Sequence, residues 1–286
     1  SSLPSQTCAT HLQRLRIMAV SASAVDVLRC KDGVRVPDFS GLRVVASDMD
    51  GTFLDAGHEA PAANLAAVRE AEAAGLRVIF CTGRNRASAQ ARLPPGLDLG
   101  ARPGVFLNGA VVYGSNGATI HERTVASDVV ADVLRFVREE GDRFSAVLCR
   151  GDDHFVPDLA EKWAMHLHKD YDDPKPCDLG GYDEAISGFS VNGAGEQPAE
   201  KRSRKQEPHL LHVVGSRDEL DLVRERLEVL IAGRVRLARA LPTCLTLLHP
   251  LSSKADGLVP ALKEFGSSCS QTIAFGDAEN DIEMLR

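Results

Sequence analysis

The sequence holds no CxxC pair, no internal repeat and no apolar run approaching the ~20 residues that a membrane-spanning helix needs. Its seven cysteines (Cys8, Cys30, Cys81, Cys149, Cys177, Cys244 and Cys269) are odd in number and scattered. Neither a disulfide framework nor a zinc knuckle is signalled, and a reducing intracellular compartment, cytoplasmic or organellar, fits best. An excess of basic charge is missing as well. With 33 Lys and Arg against 40 Asp and Glu, the formal net charge of -7 favours neither nucleic acid nor an anionic membrane as a partner. Residues 1–25 lack acidic side chains altogether, carry Arg14 and Arg16 and are rich in Ser and Ala, a composition resembling an organelle transit segment. A disordered tail, or non-coding residues ahead of a start at Met18, are the alternatives for this 1–40 extension. The chain does not begin with Met, which fits a fragment or a processed product.

What is present is ordinary globular material. The 286 residues are 44% hydrophobic and 26% charged, enough for one large or two modest domains with a real core. From residue 42 the pattern reads strand, helix, strand. "LRVVAS" and "LRVIFC" flank "PAANLAAVREAEAAG", a helix with Pro61 near its first turn and Gly75 as its stop, which implies a parallel βαβ crossover. "GVFLNGA" at 104–110 offers a third strand, and Asn116-Gly117 in "VVYGSNGATI" is a strong hairpin signal. The style then changes. Ser127 is placed to cap a helix ending at Gly141, "FSAVLC" and "HLLHVVG" read as strands, and Ser216 with Glu219 forms a capping box for a helix to about Gly233. Residues 192–208 are polar and Gly/Pro-broken, a mobile loop whose KRSRK run reads as solvated charge rather than a nuclear signal. The first style returns near 254: a helix "KADGLVPALKEFG" with an irregularity at Pro260, a short buried strand "QTIAF", and the start of another helix in "AENDIEMLR". The expected fold is α/β, a Rossmann-like parallel-sheet core split by an inserted α+β domain.

Four stretches carry chemistry. In an open parallel α/β sheet, ligands bind beyond the carboxyl ends of the strands. Asp48 and Asp50 sit at such an end, and the alternation of extended chain lets residues i and i+2 face one reacting group. Gly51 lets backbone approach an anion, and Thr52 adds a hydroxyl. A lone DxD is more often a polar strand end with an Asx turn, so the neighbours decide. "CTGR" puts the Thr82 hydroxyl and the Gly83 amide at the same edge. Lys254 opens a helix, where a cation is unfavourable unless it holds an anion. "FGDAENDIEML" sets Asp277, Asn280 and Asp281 after the last strand. The acid set is oxygen-only, which suits a hard cation such as Mg²⁺ bound together with substrate phosphate.

The ordered set DMDGT, CTGR, Lys254 and GDAEND resembles the haloacid dehalogenase-like (HAD) superfamily of phosphatases. "DMDGTFLD", "LNGA", the long insert and "GDAENDIEML" most resemble its Cof-type, class IIB branch, over residues 42–286. The resemblance implies a HAD-like core at 41–122 and 249–286, with an α+β cap at 123–248. It implies Asp48 as the nucleophile that forms an aspartyl phosphate, and Asp50 as the acid and base. It implies Mg²⁺ held by Asp48, the Asp50 backbone carbonyl and Asp277, with Thr82, Gly83, Lys254 and Asn280 on the phosphoryl group. Asp281 would orient the metal shell or Lys254. The expected activity is a Mg²⁺-dependent phosphatase on a small phosphorylated metabolite, a sugar phosphate or phosphorylated cofactor precursor. A phosphomutase of the same superfamily and a non-catalytic metabolite binder are the rivals. Two departures concern specificity: Ala255-Asp256 follows Lys254 where Gly is common, and Thr246 stands where an acid is expected. Family members continue with a further strand and helix, so a chain ending at Arg286 is expected to be truncated. His166 and His168 lack a third metal ligand and are expected to have a surface or cap-packing role. Trp163 and Tyr171 are expected to pack in the core rather than line the cap, and Cys81 is expected as strand filler.

Overall fold

A computed structural model describes residues 39–189 and 206–286. Residues 1–38, the KRSRK run and all of the 192–208 stretch before residue 206 lie outside the described residues.

The first sheet is built where apolar runs alternate with helix-forming stretches. Strand β1 (Val44–Ser47) leads into α1 (Ala62–Ala73), and the chain returns as β2 (Arg77–Cys81), parallel to β1 in register Val44 to Arg77. Pro61 stands at the N-terminus of α1, and Gly75 follows its end with φ +87°. A short helix α2 (Arg86–Gln90) then precedes β3 (Gly104–Phe106), β4 (Val111–Tyr113) and β5 (Thr119–Glu122). The β4–β5 hairpin turns at Asn116-Gly117, where Gly117 has φ +74°. Strand β3 ends earlier than the run GVFLNGA suggests. Leu107, Asn108 and Gly109 all take positive φ (51°, 54° and 85°), which no extended strand accommodates.

The second sheet comes from the insert. After α3 (Ser127–Glu139) follow β6 (Phe144–Arg150), β7 (Asp153–Val156), α4 (His166–Tyr171), β8 (Cys177–Asp178) and α5 (Tyr182–Phe189). Beyond residue 206 come β9 (Leu210–Gly215), α6 (Arg217–Ile231), β10 (Arg236–Leu241) and β11 (Cys244–Leu248). Ser127 is not the cap of α3: Ala126 holds that place, and the Glu207 carboxylate accepts from Ser127 N (3.0 Å), a remote acid doing what a local side chain was expected to do. Ser216 does cap α6, its hydroxyl accepting from Glu219 N.

The chain returns to the first sheet through α7 (Lys254–Glu264) and β12 (Thr272–Phe275). The strand order is β12-β1-β2-β3-β4-β5 in one sheet and β10-β11-β9-β6-β7-β8 in the other. In the first sheet β12, β1, β2 and β3 are parallel. One face packs Val44, Ala46, Ile79 and Val105 against Leu258 and Leu262 of α7, and the other packs Val78, Phe80 and Phe106 against Val68 and Ala71 of α1. Two expectations are corrected here. QTIAF is half-buried rather than buried, because β12 is an edge strand bonded to β1 alone. AENDIEMLR forms only a 3-10 turn at Glu279–Asp281, with a single i to i+4 bond from Leu285 N to Asp281 O, too few to offset helix nucleation.

The insert is held down on α2 by acids. Asp152, between β6 and β7, accepts from Ala87 N (2.8 Å) and from Arg86, while Asp173 accepts from Asn85 Nδ2 (3.1 Å). Asp172 pairs with Arg92. Where the chain enters the insert, Arg123 grips both oxygens of Asp256 in α7, at 2.7 and 3.0 Å. Among the described residues, no helix is long and apolar enough to cross a membrane.

Candidate active site

Strand β1 lies between β12 and β2, so whatever follows it emerges flanked by the carboxyl ends of two parallel strands. Asp48 N still bonds Phe275 O (2.9 Å), and the fully buried Met49 anchors the next step. Its carbonyl then accepts from Thr52, Phe53 and Leu54 N, forcing a tight turn in which Gly51 has φ +81°. That turn sets Asp48 and Asp50 apart. Asp48 is 4% exposed and accepts from Lys254 Nζ at 2.5 Å. Burial pushes its pKa up to about 6, against the opposing pull of the Lys254 ammonium.

Lys254 is the first residue of α7 and is buried. Its ammonium is shared between Asp48 and Asp281 Oδ1 (2.8 Å), which explains a cation at a helix N-terminus. Asp281 Oδ2 in turn accepts from Asp277 N and Ala278 N (3.3 and 3.1 Å), so this fully buried carboxylate fixes both the lysine and the turn that carries Asp277. Thr52 Oγ1 donates to Asp277 Oδ1 (3.0 Å). A Cβ on Gly51 would meet Asp277 Oδ2 at 2.4 Å, so only glycine lets the two segments close.

Thr82 is fully buried just past β2, its hydroxyl accepting from Arg84 N (3.1 Å). Gly83 lies beside Asn108, whose side-chain nitrogen would sit 3.3 Å from a Cβ there. Asn280 Nδ2 donates to Asn108 Oδ1 (3.0 Å). Asn108 thus stands between Gly83 and Asn280, and it has a left-handed backbone (φ 54°). The tightest approach in this region is at Gly109, where a Cβ would lie 1.9 Å from Ser253 O, next to Lys254.

Asp50 has a different setting. Arg84 Nε and Nη2 donate to its two oxygens, each at 2.7 Å, and His58 Nδ1 lies 2.8 Å from Oδ1. Burial works to raise its pKa, but the Arg84 and His58 contacts outweigh burial and hold the carboxyl below its usual range. Arg84, His58 and Asn108 are functional candidates to which sequence reasoning gave no role. Arg84 and Asn108 stood inside CTGR and LNGA, whereas His58 gave no local signal.

Other sequence candidates fall outside this cluster. His166 bonds Thr243 and pairs with Asp170, and His168 bonds Asp173 O. Trp163 and Tyr171 pack against the hydrophobic core. Cys81 is fully buried, and burial pushes its thiol pKa well up. Thr246, where an acid was expected, is buried in β11 and bonds His212.

Among the described residues, carboxylate oxygens of Asp48, Asp277 and Asp281 lie within 4.8 Å of one another and could hold a metal ion. Sequence reasoning had put Asp281 outside the metal set; it stands within this acidic group while also bonding Lys254. An oxygen-only cluster closed against a glycine fits a hard dication.

The profile of haloacid dehalogenase-like hydrolases matches residues 45–286, which takes in all of these positions. The chain belongs to this family. Chloroplastic endoribonuclease YBEY of Arabidopsis thaliana is 27% identical over 264 residues, covering 89% of this chain and 41% of that protein. The chain therefore spans less than half the length of that relative. HMP-PP phosphatase of Serratia proteamaculans is 26% identical, covering 85% of this chain and 80% of the relative. The solved structure of a HAD/COF-like hydrolase from Plasmodium vivax superposes with a TM-score of 0.68 at 23% identity, over 86% of this chain and 81% of that one. The fold is that of a Cof-type HAD hydrolase: a parallel-sheet α/β core with a second, mixed sheet inserted.

Proposed function

We propose that this HAD hydrolase is a Mg²⁺-dependent phosphatase acting on a small phosphorylated metabolite, a sugar phosphate or phosphorylated cofactor precursor. Residues 41–122 and 249–286 form its catalytic core, and 123–248 its cap. The reading is carried by one observation: Asp48, buried at the sheet edge, is paired with Lys254, while Asp50 two residues on is held separately by Arg84 and His58. Asp48 thus stands beside the cation that would meet a phosphoryl group, and Asp50 is held apart from it where it can reach a leaving oxygen. The name of the Serratia relative supports a phosphatase.

An Asp48 oxygen attacks phosphorus as the ester P–O bond breaks. The electron pair leaves with the ester oxygen, which takes a proton from Asp50. Asp50 is protonated once the negative charge of the bound phosphate offsets the Arg84 and His58 contacts that favour its ionised form. Water then attacks the aspartyl phosphate, Asp50 takes its proton, and phosphate leaves with the Asp48 carboxylate restored. Lys254, Thr82, Gly83 and Asn280 bind the phosphoryl oxygens, and Asp281 keeps Lys254 in place. Asp48, the Asp50 carbonyl and Asp277 would hold Mg²⁺, which when bound offsets repulsion between carboxylate and phosphate.

A phosphorylated-metabolite panel tests this directly. Phosphate release is expected with Mg²⁺ and lost with EDTA, and Asp48→Asn is expected to abolish it while keeping the fold. Near-normal release by purified Asp48→Asn would refute the covalent route. Phosphate release without an isomerised product separates hydrolysis from a phosphomutase.

A further inference from the structure

We infer that His58 is a positioning residue for the acid–base group Asp50, an inference that rests on the phosphatase reading above. The segment after DMDGT folds back through a five-residue turn. The Asp55 carboxylate accepts from Gly57 N and Glu59 N (2.8 and 3.1 Å), and His58 N donates to Asp55 O (2.9 Å). His58 takes φ +58° in this turn, a conformation uncommon for any residue but glycine. The strain has a visible result: the ring is delivered to Asp50, with Nδ1 2.8 Å from Oδ1.

Arg84 grips the same carboxylate through both oxygens and is itself bonded to Tyr171 O (3.5 Å), so it fixes the plane of the carboxyl from one side only. His58 meets Oδ1 from a short, turn-locked backbone eight residues along. The turn is steadied from the other side too. Neighbouring Glu59 lies 3.9 Å from Arg92, and Arg92 also pairs with Asp172 of the insert. The side chains of His58 and Asp50 are 47% and 37% exposed, so this contact is open to solvent.

Fixing the carboxyl matters most where its proton is most needed. When the P–O bond breaks, an alkoxide must be protonated as it leaves, whereas a nitrophenolate leaves readily without help. A positioning defect at Asp50 therefore penalises alkyl phosphates more than aryl phosphates.

The experiment compares kcat/KM for glucose 6-phosphate and p-nitrophenyl phosphate, with Mg²⁺, in full-length wild type and two variants. This ratio ends at the first irreversible transfer, so the later water step does not enter. His58→Gly removes the ring and relaxes the turn. His58→Asn tolerates the left-handed backbone and places an amide nitrogen near the position of Nδ1. His58→Gly is expected to lower the alkyl-to-aryl ratio of kcat/KM by ~10-fold or more, part of the ~10² to 10⁴ typical of a general acid. His58→Asn is expected to recover most of that ratio. Equal losses on both esters, no loss on either, or an Asn variant as poor as the Gly variant would overturn the inference. An alkyl ester from the metabolite panel replaces glucose 6-phosphate where that is not turned over. A wild type that releases phosphate from no member of the panel would overturn the phosphatase reading itself, and this inference with it.

Discussion

Lys254 Nζ lies between two carboxylates that have almost no access to water, Asp48 and Asp281. Lys254→Met would leave both acids buried without their cation, a loss of the kind that typically costs ~3–5 kcal/mol. Urea denaturation should show it as a lower midpoint, and an unchanged midpoint would mean that the ion triad contributes nothing net. Gly51→Ala tests the other wall of the site. Its Cβ would collide with the Asp277 carboxylate at a φ of +81°, so calorimetry should show weakened Mg²⁺ binding, and wild-type affinity would disprove the expected role of Asp277. At this scale the sequence was legible where a residue's neighbours along the chain announce it. Asp48, Thr82, Lys254 and Asp281 each stand at a strand or helix end. His58 was not legible, because its contact with Asp50 depends on a left-handed φ and a turn closed by Asp55.

The elements themselves were readable where start and stop signals bracket them, as Pro61 and Gly75 do for α1 and Ser216 with Glu219 does for α6. The misreadings fall where a distant segment intervenes. Ser127 lost its capping role to Glu207, and β3 was cut short by the turn that seats Asn108 under Asn280. Strand β9 carries a consequence of burial that can be measured. His212 bonds Thr246 Oγ1 (2.9 Å) and Cys244 Sγ (3.0 Å), and burial, aided by nearby His154, pushes its pKa down to about 3 from 6.5. The unfolded chain takes up this proton near pH 6.5, and the folded chain refuses it until about pH 3. The corresponding stability is complete above the unfolded value and drains away as pH falls toward the folded one. Over the first two pH units of that fall the loss reaches up to ~2.7 kcal/mol. His212→Gln should flatten the acid limb of a pH–stability curve by a measurable part of this. Superimposable limbs would show that His212 is protonated in the folded state.

For the molecule as a whole, two sheets were legible as a change of style along the chain. How they dock was not, since Asp152, Asp172 and Asp173 reach α2 across gaps of 65 to 88 residues. Asp152 is the member of that set that takes a helix amide as well as a guanidinium. Asp152→Ala should speed hydrogen exchange at Ala87 N, and, with the insert acting as the proposed cap, raise KM several-fold with a smaller change in kcat. Unchanged exchange and KM would mean that the remaining contacts hold the two parts together on their own.

The position of β1 has a bearing on how the protein is made. Its two hydrogen-bonded neighbours are β2, about one helix away, and β12, which begins only at Thr272. Lys254 is separated from Asp48 by 206 residues. At ~5–20 residues per second of synthesis, β1 stands on the ribosome for roughly 10–40 s with one flank unpaired and Asp48 without its Lys254 counter-ion. During that interval the insert, whose sheet is built from its own strands alone, can fold as a unit, while the first half of the core still lacks β12. The open flank of β1 is thus where a nascent-chain chaperone would be needed, and slowing translation across the insert would prolong that need without helping the core to fold.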